Sequence, residues 1–170
     1  MLKTPNSTIS TELAALSSKA GAKISSAIQS ASQKTGVDFS YLLQQAQVES
    51  SFKADAKAKT SSATGLYQFI DRTWLQMVNK YGDKYGLSQY ADQISDTGKV
   101  ANSKIKAEIL NLRNDAKICS LMAGELACEN KNYLESKVSG DIGSTELYMS
   151  HFMGPGGASK FLNALRSNPT

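Results

Sequence analysis

Val37-Asp38-Phe39-Ser40-Tyr41-Leu42-Leu43-Gln44-Gln45-Ala46-Gln47-Val48-Glu49-Ser50 is the segment from which the fold of this 170-residue chain is read. Its apolar residues Phe39, Leu42, Leu43 and Ala46 recur at intervals of three and four, the spacing of one helix face. Glu49 stands seven positions after Leu42, so at roughly 100° per residue it projects about 20° from that leucine. The acid sits on the apolar stripe. A carboxyl taken out of water is disfavoured as the anion, so it tends to hold its proton and can donate it. For an isolated glutamate the plainer alternative is a frayed helix end that points to water.

Sixteen positions after Glu49, the small polar run Lys59-Thr60-Ser61-Ser62-Ala63-Thr64 leads into Gly65-Leu66-Tyr67-Gln68-Phe69. Gly65 permits positive φ and lets another chain lie against the backbone, which makes the segment a candidate cradle for an extended polymer. Tyr67 offers a flat apolar surface, and the Gln68 amide carries donors and acceptors suited to N-acetyl and hydroxyl groups of a sugar. The same residues also read as a loop before a helix that Asp71 caps, with Trp74, Val78 and Tyr81 on its core face and Gly82 as its stop. The two readings are compatible.

Together with a late His151-Phe152-Met153-Gly154-Pro155-Gly156, these segments resemble the soluble lytic transglycosylase (SLT) domain over roughly residues 24 to 166. Members of that family carry a catalytic Glu followed by Ser, then Gly-Leu-Met-Gln, then Tyr-Asn-x-Gly. Here Tyr67 replaces the Met, and His151 and Phe152 stand where Tyr and Asn are typical. Tyr148, one helical turn earlier, could supply a displaced phenol, so Tyr148 and His151 are both candidates for the contact to the acid. The resemblance implies an all-α, lysozyme-like fold with minimal β structure and a substrate cleft in a single globular domain. It also implies a peptidoglycan lytic transglycosylase with Glu49 as its catalytic residue. By the same resemblance Ser50 orients Glu49 or contacts substrate, Gln68 binds the N-acetylated sugar beside the Gly65 cradle, and Tyr67 and Phe152 give the glycan apolar walls. In such enzymes one Glu protonates the bond between MurNAc and GlcNAc while the substrate's own N-acetyl oxygen stabilises the cationic carbon. The ionised Glu then takes the proton of the muramyl 6-hydroxyl and closes a 1,6-anhydro ring.

Other glycosidases use a second carboxylate. None stands at a diagnostic position: Asp55 reads as a loop residue, Asp71 as a helix cap, and Glu125 and Glu129 as an exposed helix face. Asp55 or Asp71 opposite the scissile bond would instead favour a muramidase-type hydrolase on the same fold. A third reading is a wall-binding assembly module docked to a secretion, flagellar or phage-tail apparatus, with weak turnover.

Composition agrees with one domain able to bury a core, 41% of its residues being apolar. No run is apolar enough for a membrane span. The net charge of +4 is too small and dispersed for nucleic acid, although Lys53, Lys57 and Lys59 could steer an anionic glycan. One His and no clustered Cys argue against a protein metal site, and no phosphate-loop or dinucleotide motif points to a cofactor. Cys119 and Cys128 lie nine positions apart on one expected helix, about 180° around it, and read as small apolar residues that do not bridge. Met1 to Thr11 lacks the apolar core of a secretory signal. A peptidoglycan enzyme nevertheless works in the periplasm or cell envelope, or is phage-associated, so a trimmed form or a dedicated route is expected, and a monomer.

Residues 1–22, with a weak stripe of Ile9, Leu13, Leu16 and Ala20, read as a tether or loosely docked helix ahead of a domain over 23–170. Ile24, Ile28 and Ala31 start that domain, and Thr35-Gly36 stops its first helix. Asp83 to Ser103 reads as a long loop beside the cleft. Ile105, Ile109 and Leu112 predict a short helix, Asn114 or Asp115 caps the next, which runs to about Asn130, and Ser139 to Ser144 is a turn. Thr145 to Met153 is helical, and after Gly154-Pro155-Gly156-Gly157 a last amphipathic helix carries Phe161, Leu162 and Leu165.

Overall fold

The computed structural model of the chain describes residues 5–167, with side chains described from residue 11. The first four residues of the expected tether, the Ile9 side chain and residues 168–170 lie outside that range. The architecture is all-α, as read from the sequence. Among the described residues, β structure amounts to isolated antiparallel bridges pairing Lys57 with Thr64, Thr64 with Phe69, and Ile94 with Val100. Two compact units divide the chain, Met1–Gly124 and Glu125–Thr170.

In the first unit, α1 (Pro5–Ala20) packs on α2 (Ala22–Thr35) and α3 (Phe39–Ser50). From residue 11 onward α1 buries no side chain. A polar tie joins it to α2: Ser17 Oγ donates to Ser25 Oγ at 2.9 Å, and Ser25 Oγ donates to the Ser17 carbonyl at 2.7 Å. Gly36 ends α2 in the left-handed conformation with its N–H on the Ser32 carbonyl, the stop that Thr35-Gly36 predicts. The α3 stripe is as read, with Leu42, Leu43 and Ala46 fully buried.

Helix α4 (Asp71–Tyr81) buries Trp74 and Val78 on the face read from the sequence. The Trp74 indole N–H donates to the Ile109 carbonyl at 2.8 Å, and its ring meets Phe69 edge-on at 5.1 Å. Asp71 is not the cap of this helix. It is the first helical residue after Ile70, and its amide is taken by Ser62 Oγ at 3.0 Å.

The span expected as a long loop is instead packed. It contains a 3₁₀ turn (Gly82–Tyr85), the short α5 (Ser88–Ala91) and the Ile94–Val100 bridge. Leu87, Ala91 and Ile94 are buried, and Asn79 Nδ2 donates to the Ile94 carbonyl at 2.9 Å. Leu87, Ala91 and Ile94 are spaced by four and three, a helical interval, but the polar residues around them and Gly86 and Gly98 make the span read as a loop.

Helix α6 (Ser103–Asn111) starts at Asn102, whose Oδ1 accepts from Lys104 and Ile105, and a 3₁₀ turn (Leu112–Asn114) leads to α7 (Ala116–Lys137). Asp115 Oδ1 caps α7 by accepting from the Ile118 amide at 2.9 Å. The helix runs past Asn130, the end expected from the sequence, because Leu134 and Val138 are buried beyond it. In the second unit, α8 (Ser144–Met153) packs on α9 (Pro155–Ser167) over a cluster of Leu134, Val138, Ala158 and Leu162. Pro155 opens α9 at the position where its missing N–H costs nothing, so Gly156 and Gly157 are helical rather than part of a loop. Among the described residues, no helix is long and apolar enough to cross a membrane.

Candidate functional site

Glu49 lies half-buried in the last turn of α3. The helix ends abruptly after it: Ser51 (φ 52°) and Phe52 (φ 65°) are both left-handed. Two consecutive non-glycine residues in that region cost on the order of 1–2 kcal/mol each, and for a residue as bulky as Phe the conformation is rare. Local bonds and burial hold it. The Ser51 amide donates to the Gln47 carbonyl at 2.9 Å, the Lys53 amide to the Ser50 carbonyl at 3.1 Å, and the Phe52 ring is buried. Strain of this kind, held by its surroundings, concentrates at functional sites.

Ser50 is buried beside the acid, and its hydroxyl joins helix to loop by donating to the Leu66 carbonyl at 2.7 Å, with the Ala46 carbonyl as a second acceptor at 3.0 Å. The Gly65–Phe69 segment is a tight turn closed by paired Thr64 and Phe69 backbone bonds, both 3.1 Å. Gly65 (φ 90°) is the close-approach position expected, but what approaches is the chain itself. A Cβ placed there would come within 2.1 Å of the Arg113 carbonyl, so Gly65 cradles backbone rather than a glycan.

Tyr67 also corrects the expectation made for it. Only 2% of its surface is exposed, and its hydroxyl donates to the Leu42 carbonyl at 2.7 Å, so the ring forms no wall for a ligand. Burial pushes its phenol well above the usual value, with the neighbouring Cys119 adding to the shift and Ser120 opposing it. It stays protonated and ties the turn to the middle of α3. Gln68 (φ 54°) is half-buried. Its Nε2 donates to the carbonyls of Gly65 at 2.9 Å and Ala56 at 3.0 Å. Both amide donors are thereby engaged, which leaves the side-chain carbonyl as the remaining hydrogen-bonding group of the amide.

The anchor of this turn is Arg113, a residue that no motif in the sequence singled out. It is 7% exposed. Its Nη1 donates to the Ser62 carbonyl at 2.8 Å and the Phe69 carbonyl at 2.9 Å, and its Nε donates to the Leu110 carbonyl at 2.8 Å. Asp71 Oδ1 lies 2.8 Å from the same Nη1 as an ion-pair partner, without the alignment of a hydrogen bond.

Asp55 and the lysines at 53, 57 and 59 are exposed. Glu125 is not on an exposed face as expected, being only 5% accessible, and Glu129 is half-buried. In the second unit, Tyr148, His151 and Phe152 share the last two turns of α8. Tyr148 and Phe152, four apart, are both exposed, Phe152 to 80%, and His151 is half-buried. Glu49, Ser50, Gly65, Tyr67 and Gln68 thus belong to one assembly in the first unit, and Tyr148, His151 and Phe152 to one helix of the second. A cavity of about 580 Å³, lined by Lys23, Ser30, Ala54, Asn114 and Lys117 among others, includes none of them. Compared with known families, residues 26–114, more than half the chain, match the model described as "Transglycosylase SLT domain".

Proposed function

The chain belongs to the transglycosylase SLT family, whose chemistry is glycosidic-bond cleavage in peptidoglycan of the cell envelope, and on that premise we propose that it is a lytic transglycosylase with Glu49 as acid and then base. The observation that carries this reading is the half-buried Glu49 at a strained helix end, with Ser50 beside it bonded to the turn that holds Gln68. Glu49 protonates the oxygen between MurNAc and GlcNAc. The substrate's N-acetyl oxygen stabilises the anomeric carbon as the bond breaks, and the ionised Glu49 takes the proton of the muramyl 6-hydroxyl. That hydroxyl closes the 1,6-anhydro ring, and no water is consumed.

Residue roles follow from the contacts. The Gln68 carbonyl oxygen accepts from a substrate N–H or hydroxyl, while Ser50, Gly65 and Tyr67 act by positioning. Tyr148, His151 and Phe152 contribute polar and apolar contacts to the glycan. A hydrolytic route would need a second carboxylate. The ion pair of Asp71 with Arg113 and the exposure of Asp55 support the one-acid reading instead. The expected site of action is the periplasm, or the wall reached from a phage particle, with the protein acting as a monomer.

Mass spectrometry of soluble products from purified peptidoglycan, run beside Glu49→Gln, tests this. Muropeptides with 1,6-anhydro ends, absent from the variant, are expected. Reducing-end MurNAc would mean a hydrolase, and no release at all would favour a wall-binding module.

A further inference from the structure

The contacts of Arg113 converge on the turn beside the acid. Its guanidinium reaches both flanks of the Gly65–Phe69 turn, across 51 residues to Ser62 and 44 to Phe69. Its own carbonyl closes the underside, where Gly65 leaves no room for a methyl group. Two outputs of the turn bear on chemistry. One is Gln68, held at a left-handed backbone angle that a loose loop would not keep. The other is the Leu66 carbonyl, which accepts the hydrogen bond of Ser50, the neighbour of Glu49.

A buried arginine is tolerated when its donors find acceptors and its charge is offset, and here three carbonyls take three of its donors while Asp71 supplies the counter-charge. Lysine cannot replace this arrangement, since its single ammonium lacks the planar fork that spans separate acceptors. We propose that Arg113 is a positioning residue of the glycan-cleaving site: from beneath the turn it sets Gln68 and, through the Leu66 carbonyl and Ser50, the end of the helix that bears Glu49. The proposal rests on the assignment of Glu49 as the acid. A displacement of about 1 Å at a catalytic group is enough to lower turnover about 100-fold.

The test compares wild type, Arg113→Lys and the milder Asp71→Asn on soluble peptidoglycan strands. It measures kcat and KM well below the unfolding temperature, together with hydrogen exchange at the Leu66, Gln68 and Phe69 amides. For Arg113→Lys the expected result is a native circular-dichroism spectrum, faster exchange at those amides, and kcat lowered about 10- to 100-fold with a smaller rise in KM. Asp71→Asn, which removes the counter-charge but leaves the carbonyl bonds, should lower kcat about 3- to 5-fold. If Arg113→Lys fails to fold, Asp71→Asn is read by the same criteria. A kcat within about twofold of wild type in a folded variant whose turn exchanges faster would overturn the proposal, as would a kcat loss no larger than the loss of folded protein. Wild type that releases no product would defeat the Glu49 assignment instead. Exchange then decides separately, and unchanged protection at Leu66 and Gln68 in Arg113→Lys would remove Arg113 from the turn altogether.

Discussion

Each of the two units carries one arginine fastened across a turn and one cysteine of α7, and the two sets differ in burial. In the first unit Arg113 is 7% exposed and Cys119 is fully buried. In the second, the Arg166 side chain is 27% exposed and Cys128 is half-buried. Arg166 reaches back from α9 to the carbonyls of Ser139 and Asp141 and to Glu146 at 3.2 Å, so it bridges a turn much as Arg113 does. The device is shared, but its surroundings set its worth. A guanidinium out of water makes every lost partner costly, while one at the surface exchanges lost partners for water. Among the described residues, large exposed apolar side chains also concentrate in the second unit, where Tyr133, Tyr148, Phe152, Met153, Phe161 and Leu165 lie, against Val48 and Ile70 in the first. The first unit thus fixes a few polar groups rigidly, and the second presents apolar surface.

Five experiments probe this contrast. Glu49→Gln should lower turnover about 10²- to 10⁴-fold with the fold intact, by product release and circular dichroism, because the acid belongs to the rigid unit. A variant that keeps most of its activity would move the chemistry elsewhere. Alkylation of the folded protein near pH 8, read by mass spectrometry, should label Cys128 about 100-fold faster than Cys119. Burial raises the Cys119 thiol from 9.0 to about 12, with the amides of Leu66 and Tyr67 opposing the shift. Unfolded Cys119 therefore loses its proton at a pH where the folded thiol keeps it. Stability must fall as pH rises from about 9 to 12, and Cys119→Ala should flatten that limb.

The arginine pair gives the next contrast. Arg113→Gln should cost about 3 kcal/mol and Arg166→Gln about 1 kcal/mol in denaturant unfolding, and equal values would erase the distinction drawn from burial. Phe152→Ala is the smallest change. With its side chain 80% exposed, stability should stay within about 0.5 kcal/mol. Turnover on glycan strands should drop about fivefold, and unchanged turnover would take Phe152 out of the ligand surface.

What the sequence revealed follows the range of the forces involved. Helices α3 and α4 were legible because their apolar residues repeat at helical spacing, and Gly36 and Asp115 marked a helix end and a start by local chemistry. Contacts distant in sequence were not legible. Arg113 looks like any surface charge until residues 44 to 51 positions away supply its acceptors. Tyr67 looks like a ligand platform until the carbonyl of Leu42, 25 positions earlier, accepts its hydrogen bond. Gly65 correctly signalled a close approach, but nothing local says that the approaching backbone is that of Arg113. Glu125 was misread as well, since it is buried and its place along α7 carries no local mark of that. The nearest signal that could have found Arg113 is the count of carbonyls in a Ser-rich turn with too few local donors.

The order in which the chain is made gives the Arg113 clasp one further consequence. Ser62 and Phe69 leave the ribosome long before Arg113 does, and contacts of such sequence separation close late in folding. Until the residue at 113 has emerged, the turn that holds Gln68 lacks its clasp, and the Ser50–Leu66 link has a loose partner. In this member of a family directed at peptidoglycan, the turn beside Glu49 is therefore among the last parts to be fastened. An interrupted or prematurely terminated chain carries Glu49 without the Arg113 bonds that hold the neighbouring turn.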